Sequence, residues 1–287
     1  METYKLQYAS DLHLKPDSAP FNILIEPAAP DLALCGDIGD PFSQIYADFI
    51  KWVAKRWNRV FLIAGNHEYF SENPNILMSD VEDKIRSVAV SAGPNVIFLQ
   101  KEIYAIDSHK ILIVGATLWS TPSLRRWDLL VDGFIGSPGF RGEYKAIHKL
   151  DEYSGLPRLI HPSDITNLCN NHIAFLQNTL HPAWGNVVEG WRVIVLTHHL
   201  PTYEINTAHS TNILKSCYAV ALDNLIKEPV VAWLCGHSHN AKVLRMESGA
   251  LAALNPLGYK NESLTSGYSR KACIYVYNEN IAISRKF

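Results

Sequence analysis

The run VVAWLCGHSHN, Val230 to Asn240, opens with six apolar residues, breaks at Gly236 and then presents His237 and His239. Six apolar residues without polar alternation fit a strand covered on both faces, as in the parallel sheet of an α/β protein. Two imidazoles at the end of such a strand cost desolvation unless they meet partners. The rest of the chain must therefore supply those partners.

Four other apolar runs end in the same way. LQYASDLHL ends in Asp11 and His13, LALCGDIGD in Asp37 and Asp40, VFLIAGNHE in Asn66, His67 and Glu68, and VIVLTHH in His198 and His199. In an open α/β sheet, ligands bind at the carboxyl ends of the strands, so these groups are expected to meet at one rim. Gly36, Gly65 and Gly236 each separate a strand from its first polar group, where a tight turn or a close backbone approach calls for the missing side chain.

Between these runs the pattern alternates. Strands are expected at Tyr4 to Ala9, Asp31 to Cys35, Arg59 to Ala64, Val96 to Gln100 and Ile111 to Thr117. Ile45, Phe49, Trp52, Val53 and Trp57 recur at helical spacing, as do Ile76, Val81, Ile85 and Val88. Strands and helices in alternation make an α/β protein. From Ser120 to about Gly190 the chain turns rich in Gly, Pro and mixed charge with no clear strand. A helix follows near His161 to Asp164, with Ser163 or Asp164 as its cap and Ile165, Leu168, Ile173, Leu176 and Leu180 facing inward. The expected organisation is one domain over residues 1–287 with an insertion or lid at about 120–190. Two hairpins are expected in the tail, turning at Glu247 to Gly249 and at Asn278 to Asn280.

Composition narrows the function classes. The 287 residues are 47% hydrophobic and 19% charged, enough to bury a large core and too apolar for disorder. A formal charge of −2 gives no electrostatic footprint for general nucleic-acid binding. Five cysteines without a framework spacing argue against a disulfide scaffold. The amino terminus lacks a signal-peptide pattern, and no window reaches the roughly 18 apolar residues of a membrane span. A cytoplasmic protein without membrane attachment is expected.

Imidazoles, carboxylates and one amide oxygen form the donor set of Mn, Fe, Zn, Ni or Co, and without thiolates a structural zinc site is disfavoured. The donors outnumber what one ion needs, which points to two divalent ions. Two ions about 3.5 to 4 Å apart can bracket a phosphoryl group and generate a hydroxide between them.

In their order DLH, GDIGD, GNHE, THH and GHSH, these motifs resemble the calcineurin-like metallophosphoesterase superfamily, and GATLW (Gly115 to Trp119) and NPLGY (Asn255 to Tyr259) resemble its small bacterial-type branch. Single motifs of this kind are weak; five in order at five strand ends are specific. The resemblance implies a four-layer αββα sandwich of two mixed β-sheets flanked by helices. It implies Asp11, His13, Asp37 and His239 around one metal, and Asp37, Asn66, His198 and His237 around the other, with Asp37 bridging. It also implies His67 as the catalytic histidine beside the leaving-group oxygen, oriented by Asp40. Of the adjacent His198 and His199, side chains at a strand end point opposite ways, so one ligates, and motif position assigns His198. Glu68 either supports the metal ligands or is a helix-start carboxylate. Asp40 also suits a helix cap before Pro41, and Trp119 either lines the pocket or plugs the core. Arg141, Lys145 and Lys149 in the insertion belong to a mixed-charge, solvated face or meet a phosphate.

The leading expectation is hydrolysis of a small phosphorylated substrate, a diester or nucleotide-type compound rather than a polymer. A nuclease of the same superfamily would need a basic groove that the sequence does not offer. A catalytically silent scaffold, as the retromer subunit of this superfamily resembles, lacks the catalytic histidine that GNHE retains here.

Overall fold

The structure, a computed structural model, describes residues 3–122, 144, 146–181, 189–206, 215–277 and 280–284. Chain order gives β1 (Tyr4–Ala9), α1 (Phe21–Leu24), β2 (Asp31–Cys35), α2 (Gln44–Ala54), β3 (Arg59–Ile63), α3 (Met78–Ala92), β4 (Val96–Phe98), β5 (Glu102–Ile106) and β6 (Ile111–Ala116). There follow β7 (His148–Leu150), β8 (Pro157–Leu159), α4 (Pro162–Leu180), β9 (Arg192–Thr197), α5 (Lys215–Tyr218), β10 (Val230–Cys235), β11 (Lys242–Arg245), β12 (Leu251–Leu254), β13 (Cys273–Tyr277) and β14 (Asn280–Ser284).

Two six-stranded mixed sheets form, in the orders β14-β13-β1-β2-β3-β4 and β11-β12-β10-β9-β6-β5. Strands β1 to β4 are parallel, and so are β6, β9, β10 and β12. Antiparallel strands β13, β5 and β11 flank them.

The period of two decides which side chains fill which layer. Leu6, Tyr8, Ala33, Cys35, Phe61 and Ile63 of the first sheet share one core with Ile111, Ile113, Ile194, Leu196, Ala232 and Leu234 of the second. The alternate residues Leu32, Leu34, Val60 and Leu62 cluster with Phe49 and Val53 of α2 and Val81 and Ile85 of α3. On the far side Leu112, Val114, Val193, Val195 and Trp233 cluster with Ile165, Cys169 and Leu176 of α4. Strands read as apolar on both faces are thus sandwiched between a helix layer and a second sheet, and the fold is α/β, as expected.

Several boundaries differ from the sequence pattern. Strands β4 and β6 stop before Gln100 and Thr117, because the Gln100 amide takes over the pairing there. Its Oε1 accepts the Thr117 backbone N–H (3.1 Å) and its Nε2 donates to the Tyr69 hydroxyl (2.7 Å). β5, unexpected, is an edge strand with every second residue exposed. The insertion carries an unexpected hairpin, β7 with β8, whose turn is held by Asp151 Oδ1 accepting the backbone N–H groups of Tyr153 and Ser154.

The helix expected near His161 begins at Pro162, and its cap is His161 rather than Ser163 or Asp164. Pro162 fixes the first-turn φ, and Asp164, one turn in, reaches back to accept the His161 N–H at 2.8 Å. Lys149 bonds Asp164 at 3.0 Å and so lies in an ion-pair face, whereas Arg141 and Lys145 fall outside the described residues. The β11–β12 turn closes through Gly249 as expected; Asn278 and Glu279 fall outside the described residues. All five cysteines are free and buried. No described helix is long and apolar enough to cross a membrane.

Candidate metal centre

Segments following β1, β2, β3, β9 and β10 converge at one rim. Three groups of potential ligand atoms arise there, each within 4.8 Å: Asp11 with His13 and His239, His13 with Asp37 and His67, and Asp37 with His198 and His237. Asn66 joins the third, its Oδ1 3.1 Å from His198 Nε2. Asp37 is shared: Oδ1 lies 3.4 Å from His198 Nε2 and Oδ2 lies 3.9 Å from His13 Nε2. On the other side His239 Nε2 lies 3.3 Å from Asp11 Oδ1 and 2.9 Å from His13 Nε2.

The backbone turns sharply to aim these groups. Asp11, His13, Asp37, His237 and His239 all have left-handed φ, between +44° and +71°. Asp and His tolerate this region better than most residues, yet each non-glycine residue there carries strain. Gly36, at φ +83°, leaves room that a Cβ would fill, since it would lie 2.6 Å from His198 Nδ1. At Gly236 the requirement is space alone: a Cβ would sit 2.7 Å from Asp11 Oδ2. Glu68 ties the loops together, accepting the backbone N–H groups of Asp37 (2.9 Å), Ile38 (2.7 Å) and Gly65 (2.7 Å). It therefore supports the ligand loops, one of the two roles the sequence left open.

Hydrogen bonds set the direction of each imidazole. His198 Nδ1 donates to the Cys35 carbonyl at 2.9 Å, leaving Nε2 for Asp37 and Asn66. His239 Nδ1 donates to Glu262 Oε2 at 2.7 Å, leaving Nε2 for Asp11 and His13. A second partner on the distal ring nitrogen is the usual support of a metal-binding histidine.

Charge is distributed unevenly across the rim. Burial opposes the charged form of His198, but Asp37, with Asp11 and the Cys35 carbonyl, outweighs it and raises the pKa to about 9. Burial likewise opposes a charge on His239, but hydrogen bonds to Asp11 and Glu262 raise it to about 10. Burial pulls His13 and His199 down to about 3, only partly offset by Asp37. Burial would raise Asp37, but His198, His67 and His13 hold its carboxyl well below the usual carboxylate range. The pocket thus gathers positive charge about two carboxylates.

The donor set fits divalent cations. Asp37 Oδ2 and His237 Nε2 are buried without a hydrogen-bond partner among the described residues, a cost that coordination would remove. His13 Nε2 and His239 Nε2 lie 2.9 Å apart beside Asp11, two ring nitrogens and a carboxylate close enough to bind one ion together.

One expected site residue stands apart. Asp40 is exposed, and its Oδ1 accepts the Phe42 N–H at 2.9 Å, closing the turn before α2. It does not cap α2, a role that Ser43 takes. No hydrogen bond joins Asp40 to His67 among the described residues. His67 Nε2 instead meets the Tyr259 hydroxyl at 3.1 Å. Glu262 and Tyr259 are the residues that sequence reasoning passed over; NPLGY contained Tyr259, but the strand before it reads in sequence as half of a hairpin, whereas that strand, β12, also pairs in parallel with β10. Trp119 is fully buried against Tyr69 and His199 and plugs the core. His199 is buried, with Nδ1 3.4 Å from the Thr117 carbonyl and its ring 4.3 Å from that of His237.

Comparison with known proteins agrees with this architecture. An uncharacterized protein of Acanthamoeba polyphaga mimivirus is 29% identical over 278 residues, covering 90% of this chain and 92% of the relative. Among solved structures, the phosphopantetheinyl hydrolase of Mycobacterium tuberculosis superposes with a TM-score of 0.63 at 16% identity, covering 90% of each chain. A dimetal phosphatase from Danio rerio reaches a TM-score of 0.50 at 13% identity, covering 98% of this chain and 95% of that one. The family model for calcineurin-like phosphoesterase matches residues 9–241, the span that holds every clustered ligand of the rim, and the chain belongs to that family of metal-dependent phosphohydrolases.

Proposed function

We propose that this protein hydrolyses a small phosphorylated molecule, a diester or nucleotide-type compound, with two divalent transition-metal ions. Asp11, His13, Asp37 and His239 hold one ion, and Asp37, Asn66, His198 and His237 hold the other. The observation that carries this reading is the position of Asp37, whose two carboxylate oxygens face opposite ligand groups. When bound, the ions supply Lewis-acid activation of water and neutralise charge on the phosphoryl oxygens.

The remaining work falls to side chains. His67 lies beside the shared carboxylate, its Nε2 3.9 Å from Asp37 Oδ2, and its backbone N–H donates to Asp37 Oδ1 at 2.9 Å. From there it stabilises or protonates the departing oxygen. Substrate choice falls to the insertion. In support, the Ser71 N–H, four residues past His67, donates to the Ala146 carbonyl at 2.8 Å, which fastens the described part of the insertion beside the leaving-group side.

A net charge of −2 gives the nuclease reading no support. The retained His67 speaks against a silent scaffold. The test is metal-stripped protein supplied with Mn, Ni, Co, Zn or Mg and offered nitrophenyl monoesters and diesters, cyclic nucleotides and single-stranded DNA. Turnover of small esters at two metal equivalents is expected. Activity confined to DNA, or full activity with one equivalent, would overturn the respective half of the proposal.

A further inference from the structure

The reading of His67 as the leaving-group residue leaves open what orients it. Its Nε2 is hydrogen-bonded to the hydroxyl of Tyr259, on a loop far from GNHE in sequence. We propose that Tyr259 is a positioning residue for His67, its hydroxyl fixing the imidazole edge that serves the leaving group. This inference rests on the function proposed above.

The loop carrying Tyr259 is built onto the metal-ligand segments. The Leu257 N–H donates to the Ser10 carbonyl and the Gly258 N–H to the Asp11 carbonyl, both at 3.1 Å, so residues 257–258 run along the segment that carries Asp11. Gly258 adopts φ +78°, a turn that brings the next residue over the rim. The Tyr259 N–H then donates to Glu262 Oε2 at 3.0 Å, the same oxygen that accepts from His239 Nδ1 at 2.7 Å. One carboxylate therefore locks the tyrosine backbone to a metal-ligand histidine.

The ring is held as well. Its centroid lies 4.5 Å from that of His13 and 4.7 Å from that of His239. Wedged between two candidate ligands, the phenol presents its hydroxyl to His67 Nε2 at 3.1 Å. The opposite constraint on His67 comes from Phe70, whose ring lies 4.4 Å away at 35°. A histidine with a rotatable ring gains a defined direction from one polar contact and one stacking contact. With Asp40 facing solvent, the tyrosine supplies the polar contact, and its position is inherited from the metal centre. Ordering the ligands and orienting His67 thus become one event.

The test is Tyr259→Phe, which keeps the ring wedge and removes the hydroxyl. The full chain, loaded with the metal most active for the wild type, is assayed on phenyl esters with leaving groups of graded acidity. Metal content should be unchanged. Turnover should fall about 10-fold for phenyl esters and hardly at all for 4-nitrophenyl esters, because only poor leaving groups need the positioned imidazole. In a His67→Ala background the same substitution should cost nothing further. Equal loss on every ester, or loss of metal, would make Tyr259 a structural residue and overturn the inference, as would unchanged rates throughout. Nitrogen-15 resonances of the His67 ring give a readout independent of turnover. If they do not respond to Tyr259→Phe, the contact is absent. If they respond while the wild type hydrolyses no ester, the contact stands and the reaction assigned above is what fails.

Discussion

Asp37 concentrates the chemistry of the rim in one side chain. Its carboxylate is buried, held ionised by three histidines that overcome the cost of burial, and shared by two ligand groups. Asp37→Asn replaces one anionic oxygen by an amide nitrogen that cannot coordinate. It should abolish binding of both ions, read as metal content after gel filtration; retention of two full equivalents would contradict the bridge. Glu262 acts one step further out. Glu262→Gln keeps the shape but weakens the hydrogen bond that directs His239, and metal affinity should fall about 10- to 100-fold with the fold intact. The two residues differ in how visible they are in sequence. Asp37, like Asp11, Asn66, His198 and His237, follows a buried apolar run, and that mismatch of polarity and position is what exposes it. Glu262 and Tyr259 sit in a loop where polar residues are ordinary, so only the folded chain marks them. Asp40 carries the opposite lesson: motif spacing brings it near the site, but a local turn claims its side chain.

At the scale of elements, the loops after β2 and β3 stand or fall together. Glu68 accepts three buried backbone N–H groups, one from the β3 loop and two from the β2 loop. Burial and the neighbouring Asp37 raise its pKa to about 8, so it is a costly group kept for the bonds it makes. Glu68→Ala strands those donors at about 1 to 3 kcal/mol each. Loss of several kcal/mol in urea unfolding is expected, together with weaker metal binding; a change below about 1 kcal/mol would show that the loops hold without it. A second element-level coupling lies behind the site. His172 of α4 is buried, and its Nδ1 accepts the Leu118 N–H at 3.1 Å, next to the strained turn at Leu118 and Trp119. That bond needs a neutral ring, and burial, aided by the charge of Lys101, lowers the pKa to about 3. The folded pKa is below the unfolded one, so stability is constant above about pH 6.5 and declines as pH falls toward 3, by at most about 1.4 kcal/mol per unit. Unfolding midpoints of His172→Asn, which retains an acceptor but cannot titrate, should lose this part of the acid dependence. An unchanged slope would remove His172 from the account. Neither β5 nor the β7–β8 hairpin was legible beforehand. Edge pairs alternate exposed and half-buried residues, and His148–Leu150 and Pro157–Leu159 contain no β-branched residue to announce a strand.

For the whole molecule, the rim is where the two sheets meet chemically as well as sterically. Asp11, Asp37 and Asn66 follow strands of the first sheet, whereas His198 and His237 follow strands of the second. The interior between the sheets is apolar and contains none of the candidate ligands. The same sandwich must also hold, at its end, the buried carboxylates of Asp11, Asp37 and Glu68 and a group of imidazoles in strained turns. Ions bound there would cross-link the sheets and offset that cost. Binding to the folded state alone stabilises by RT ln(1 + [M]/Kd), about 2.7 kcal/mol when free metal is 100 times Kd. Chelation should therefore lower the thermal midpoint by several degrees, and adding metal back should restore it in proportion to log concentration. Hydrogen exchange should locate the change: amides at 10–14, 36–40, 65–68, 198–200 and 236–240 should open first in the stripped protein, while the strand centres keep their protection. A protein that binds metal yet melts at one temperature with and without chelator would mean that the rim forms no link between the sheets.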